Sequence, residues 1–167
     1  MRNHAWLSRI PAAALFALLA FLSTPARAQV GPCRALRVVD GDGADLRCSG
    51  ELVHVRLRNV AVPGPGQIGH DEATRALGEM LRARDLWILS EPSAAAVDPS
   101  GRSLVYLADR HGANLNVELV LLGWATYSTD AGASRFEHSF RAAESEARAD
   151  RRALWTVWSV SADGTNR

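Results

Sequence analysis

Cys33 and Cys48 bracket a segment with Asp40-Gly41-Asp42-Gly43 near its middle, and no other feature constrains the chain as much. Asp and Gly in this order favour a tight turn. Ala35–Val39 before it and Ala44–Cys48 after it read as strands, with Arg37 interrupting the first. A hairpin folded near Gly41 sets Cys33 opposite Cys48, the approach a disulfide requires. Two buried free thiols are the alternative, and the compartment bears on the choice.

The N-terminus speaks to that compartment. Arg2 and Arg9 precede an apolar run, Pro11–Ser23, and Ala26-Arg27-Ala28 follows it. This is the pattern of a secretory signal peptide, with cleavage expected after Ala28. The alternative is a membrane anchor, but a spanning helix needs about 20 apolar residues and this run is shorter. The expectation is therefore an exported chain, periplasmic or secreted, with no membrane attachment after cleavage. Export places the two cysteines where disulfides persist.

Cleavage would leave Gln29–Arg167, a length that suits one domain with a modest core. The whole chain has 19 basic and 18 acidic side chains and a formal charge of +1, and every basic one is arginine. Loss of Arg2, Arg9 and Arg27 takes the balance to −2. Such a surface gains little from general attraction to phosphate, so contact with DNA or RNA must be local rather than through a basic patch. A monomer is expected.

No repeat and no linker divides residues 29–158, which read as one domain. The segment 159–167 reads as a small polar tail that frays. Leu52–Val60 alternates apolar and polar side chains as a half-buried strand does. Pro63–Gly66 is a loop, His70–Arg84 has helical spacing, and Leu86–Leu89 is a short strand. Pro92–Gly101 is a second loop, followed by a fifth strand, Ser103–Ala108. Asn114–Leu122 is expected as a helix with Asn114 as its cap and Gly123 closing it. Arg135–Arg152 carries Phe136, Phe140, Ala143 and Ala147 on one stripe and is expected as an amphipathic helix. Trp124, Trp155 and Trp158 are expected in the core. Three strands, a helix, two strands and two helices suit an α+β OB-type fold, a five-stranded, partly open barrel with about three flanking helices.

Asp40 and Asp42 offer two carboxylates on a tight turn, as a hard cation such as Ca2+ prefers, although Asp is also an ordinary turn former. Arg56 lies on the polar side of the third strand, and Arg102 stands at the entry to the fifth. A guanidinium can hold a phosphate bidentately and stays charged throughout a reaction. Either arginine alone could equally be a solvated surface group.

Taken together these residues carry a resemblance. Val38-Val39-Asp40-Gly41-Asp42 resembles the V-[VI]-D-G-D motif of the staphylococcal nuclease family, and Arg56 follows it without a gap, where that family has its first catalytic arginine. Asp98-Pro99-Ser100-Gly101-Arg102-Ser103-Leu104-Val105-Tyr106 is similar to the family's D-x-x-G-R-x-L-A-Y segment, and Arg102 takes the second arginine's place. Asn116-Val117-Glu118-Leu119-Val120 with Gly123-Trp124-Ala125, and then Glu144–Arg148 with Leu154-Trp155, resemble the closing stretches. The similarity spans about Ala35–Trp155. It implies an OB barrel with flanking helices and Ca2+-dependent hydrolysis of DNA and RNA phosphodiesters. Asp42 would be a calcium ligand, with Asp40 close to the metal. Tyr127 matches an aromatic after the Gly-x-Ala stretch and could stack on a base, or pack in a partly buried position.

The sequence also departs from that pattern. Where the family has D-[TA]-P-E, this chain has Ala61-Val62-Pro63-Gly64, with Pro63 fixing the register. Ala61 stands in place of a calcium-ligating Asp and Gly64 in place of the Glu that acts on water. Gly43 stands where Thr is common. Losing a carboxylate should weaken a calcium site severely, and losing the water-orienting acid removes a factor of about 10²–10⁴ in rate. His70 or Asp71, at the start of the first helix, could supply a replacement base. Glu72 is the residue that matches a structural Glu of that helix. The resemblance thus implies either a weak or rebuilt exported nuclease, or a non-catalytic relative that binds a phosphate-bearing ligand or a protein.

Overall fold

The computed structural model describes residues 29–89, 91 and 97–156. The expected leader, Trp158, the tail 159–167 and residues 92–96 of the Pro92–Gly101 loop lie outside the described residues. Strand β1 (Gln29–Asp40) and strand β2 (Gly43–Cys48) form the expected hairpin, with Gly41 and Asp42 as its two-residue turn. Cys33 faces Cys48 across the ladder, and the two are joined as a disulfide. The register then slips twice, and Leu36 and Val39 are left as bulges with their apolar side chains half exposed. Bulges increase local twist, which helps a strand curl around a small barrel.

Strand β3 (Glu51–Leu57) pairs with β2 on one side and, in parallel, with β6 (Ser103–Ala108) on the other. Strand β5 (Leu86–Leu89) joins β6 to β1 and closes the barrel in the order β1-β2-β3-β6-β5. The barrel is closed, where five short strands suggested partial opening. A second difference bears on the site. Leu52–Val60 is not one strand, because Asn59 takes a left-handed conformation (φ 60°) and breaks it. Asn tolerates that region better than most residues, so the alternating pattern hides the break. The chain resumes as β4 (Val60–Ala61), which leaves the barrel and pairs with β7 (Thr126–Tyr127) in a small separate sheet.

Helix α1 (His70–Leu81) packs on β1 through Leu77 and its neighbours. It stops before the predicted Arg84, since Ala83 turns left-handed (φ 58°). Helix α2 (Leu115–Leu121) is capped as expected, with the Asn114 side chain accepting from the N–H groups of Asn116 and Val117. Helix α3 (Glu137–Ala149) buries Phe140, Ala143 and Ala147 against α2, the stripe read from the sequence. Inside the barrel Leu46, Val55, Leu57, Leu86 and Leu107 are almost fully buried. Trp124 is half-buried against this core, and the Trp155 ring lies under the Arg148 guanidinium. Among the described residues no helix is long and apolar enough to cross a membrane.

Two buried polar side chains tie the barrel to its surroundings. Asn116, fully buried, accepts from Leu107 N–H and donates to the carbonyls of Arg58 and Val105, which pins α2 to β6 and to the turn that follows β3. Asn59 donates to the carbonyls of Ser128 and Gly132 and accepts from the Tyr106 hydroxyl, which also meets Ser134. Buried polar groups satisfied this fully rigidify the loop they hold, here residues 128–134.

Candidate active site

The β1–β2 turn gathers the charged residues. It sits in close contact: a Cβ on Gly41 would lie 3.1 Å from Ala73 of α1 and 3.2 Å from Val62, so any larger residue would push its neighbours by a few tenths of an ångström. The turn is thereby pressed against the segment that leaves β4. Gly43 pairs with Arg56, and Arg56 pairs with Leu104, two residues past Arg102. Parallel pairing of β3 with β6 therefore delivers both arginines to one end of the barrel.

Arg56 Nε donates to Asp42 Oδ2 at 2.9 Å, with Asp42 all but buried and Arg56 39% exposed. Arg102 NH1 donates to Asp40 Oδ2 at 3.1 Å, and its Nε donates to Asp98 Oδ2 at 2.8 Å. Asp42 N–H donates to Asp40 Oδ1 at 3.2 Å. The four residues singled out in the sequence thus meet at one rim, together with a fifth that was quoted there only as part of a motif. Asp98 Oδ1 accepts the N–H groups of Ser100 and Arg102, both at 2.9 Å, while its other oxygen holds the Arg102 guanidinium. It closes the 98–102 turn and aims Arg102 in one stroke. The signal was available in the sequence, as an Asp four residues before an Arg with Gly between them.

The electrostatics divide the two turn acids. Burial pushes the Asp42 carboxyl up to about 6, further than the Arg56 guanidinium pulls it down, and the Asp40 charge adds to the rise. For Asp40, burial raises the carboxyl, but hydrogen bonds from Asp42 and Arg102 outweigh it and hold it below the ordinary value. Asp98 is lowered in the same way, burial being overcome by the bonds from Arg102 and Ser100.

Beside this cluster lies a cleft of about 530 Å³ whose lining includes Arg56, Ala61, Asp98, Leu104, Asp130 and Gly132. A second hollow of about 540 Å³, over Val62, Pro63 and Ile68, shares Ala61 with it. Ala61 therefore separates the two spaces, and its methyl group brings no oxygen to either.

A family model described as staphylococcal nuclease homologue matches residues 54–157. The chain belongs to the staphylococcal nuclease family. The match holds Arg56, Ala61–Gly64 and Arg102, and the closed barrel with its helices agrees with it. The Asp40–Asp42 turn precedes the matched span, and it is the β2–β3 register that sets it beside Arg56. No curated protein matches the chain.

Calcium, the cation this family implies, does not fit the donors present. Asp40 and Asp42 already bond the two arginines, and position 61 is a methyl group. Among the described residues no three His, Cys, Asp or Glu side chains cluster as a metal site needs. Ca2+ takes six to eight oxygens, which two arginine-bound carboxylates do not supply.

The remaining candidates lie apart from the cluster. His70 Nδ1 sits 2.9 Å from the Pro63 carbonyl and donates there, so in the neutral imidazole Nε2 carries the lone pair. Asp71 and Glu72 are exposed in the first turn of α1, and none of the three bonds the charged cluster. The Tyr127 ring stacks on Phe140 at 5.1 Å, with the Arg141 guanidinium 5.4 Å from its centre, and its hydroxyl is buried without a partner.

Proposed function

We propose that this protein is an exported nuclease-family domain that holds a phosphodiester or related phosphate ligand through Arg56 and Arg102 and hydrolyses it weakly or not at all with Ca2+. The observation that carries this is the asymmetry of the rim: two arginines converge on one turn, while Ala61 and Gly64 offer no side-chain oxygen beside it. Arg56 lines the cleft and is 39% exposed, which supports contact between its guanidinium and a phosphate there. Two guanidiniums would neutralise charge that builds on the phosphorus-bound oxygens. Asp98 acts as a positioning residue for Arg102. Ala61 and Gly64, where the family has its acids, bring no side chain to orient or deprotonate water. Export is supported by the signal-like start and by the Cys33–Cys48 disulfide, which is compatible with an oxidising compartment. Tyr127 would meet a nucleotide only with Phe140 and Arg141 already against its ring.

A specific contact favours the second reading, an active enzyme with a rebuilt site. The Pro63 carbonyl fixes His70 in the tautomer whose Nε2 could accept a proton, close in sequence to Gly64. The experiment that separates the two is cleavage of DNA and RNA by purified residues 29–167 with Ca2+, with other divalent ions and with chelator. Absent or feeble Ca2+-dependent turnover is expected. Robust turnover that disappears in Arg56→Ala would sink the non-catalytic reading, and its loss in His70→Ala would assign the base.

A further inference from the structure

Gly43 follows the two acids of the charged rim and has no side chain, and its surroundings show why that matters. A Cβ built there would lie 2.6 Å from Asp40 Oδ1 and 2.7 Å from Arg102 NH1. Both distances are shorter than real contacts allow, and both atoms are the ends of side chains that can move. The Arg102–Asp40 ion pair therefore occupies space that any other residue at position 43 would fill.

We propose that Asp40 is an internal occupant of the Arg102 phosphate edge, that Gly43 makes this occupancy possible, and that a phosphate ligand binds by displacing Asp40. This rests on Arg102 being a phosphate ligand, as proposed above. The geometry identifies which acid yields. Asp98 takes the Nε–H and is itself held by two backbone N–H groups, so it is a fixture of the 98–102 turn. Asp40 takes a terminal nitrogen, NH1, and its side chain is partly exposed. A phosphate that grips the two terminal nitrogens bidentately brings its charge onto NH1 beside the Asp40 carboxylate, and the repulsion between the two anions favours binding with Asp40 moved away. Arg56 differs: Asp42 holds only its Nε, and no hydrogen bond from its terminal nitrogens forms among the described residues. One arginine is open to the cleft and the other is closed by a carboxylate of the same chain.

The test is calorimetric titration of residues 29–167 with inorganic pyrophosphate, in chelator at neutral pH, for wild type, Asp40→Asn and Gly43→Ala. Asp40→Asn should tighten binding about tenfold, the scale of one charge-assisted hydrogen bond recovered. Gly43→Ala leaves every charge in place and should still tighten it, by about threefold, because the added methyl parts the pair. Binding seen only in the two variants would support the same conclusion. Tightening in Asp40→Asn alone would overturn it, since loss of a negative charge would then account for the gain. No tightening in either variant, with wild type binding, would overturn it and leave the phosphate reading standing. No binding by any of the three proteins would overturn both. Gly43 has no left-handed φ, so alanine is compatible with its backbone and the variant is a fair probe.

Discussion

The barrel end of the β1–β2 hairpin and its rim end are built on different principles. At the barrel end, Cys33 and Cys48 are covalently joined and buried, and the ladder around them keeps one register. At the rim end, the register has slipped twice, glycines occupy alternate positions, and charged side chains replace apolar packing. The first end specifies the fold and the second is free to specify chemistry. Within the rim the same division recurs. The arginine side, on β3 and at the entry to β6, has its positions set by the barrel ladder and by Asp98. The acid side, at Ala61–Gly64, lies beyond the break at Asn59 and carries no acid.

If only the acid side is deficient, restoring it should restore chemistry. Ala61→Asp with Gly64→Glu is expected to raise Ca2+-dependent cleavage of DNA by about 10² or more, the contribution of a positioned base. There is room for it: a Cβ at Gly64 meets nothing closer than Gln67 Oε1 at 3.5 Å. A folded double variant with no gain would break the comparison, by showing that the arginine side is also out of place. Removing the disulfide tests the other end. The double variant Cys33→Ser, Cys48→Ser should lose about 3 kcal/mol of stability in chemical unfolding, as expected for a closed loop of this size. Pyrophosphate affinity of the folded fraction should be unchanged, and a matching loss of affinity would couple the two ends. Arg56→Ala should weaken pyrophosphate binding by about 2 kcal/mol, the range of a charged hydrogen-bonded contact. Unchanged titrations would remove Arg56 from the site.

The pH dependence of stability sharpens the picture further. The folded Asp42 carboxyl, near 6, lies above its ordinary 3.8, so the folded state holds that proton more tightly. Between about 6 and about 4, stability should therefore rise as pH falls, on the order of 1 kcal/mol. Below that window Asp40, Asp45 and Asp98, whose folded values are lowered, act oppositely and stability falls as they protonate. Denaturant midpoints across this range should show the rise, and Asp42→Asn should flatten it. The smallest effect concerns Tyr127. Its ring is already engaged, so Tyr127→Leu should change oligonucleotide affinity by less than about 1 kcal/mol, whereas a stacked base would lose about 1–3 kcal/mol.

Much of this was legible in the sequence. The Asp-Gly-Asp-Gly turn and its flanking strands imply the hairpin, and the hairpin implies the disulfide. The stripe on α3 and the cap at Asn114 follow from local periodicity and local hydrogen bonding. The break at Asn59 was not legible, because a left-handed residue costs little for Asn and leaves the apolar alternation intact. The parallel β3–β6 pairing that brings Arg102 beside Arg56 is a long-range contact with no local signature, and the family resemblance alone pointed to it. Gly43 shows the limit most clearly. In the sequence it is a missing threonine. In the structure it is the space into which an ion pair closes, and a space leaves no trace in a string of letters.

The break at Asn59 has a last consequence. Every position at which an expected acid is lacking lies past it, in a two-residue strand outside the barrel or in the loop that follows. Substitutions there disturb neither the closed ladder nor the buried core. Hydrolytic chemistry could therefore have been lost, and could be regained, through changes nearly neutral for folding, so that selection on activity and selection on stability act on separate parts of the same chain.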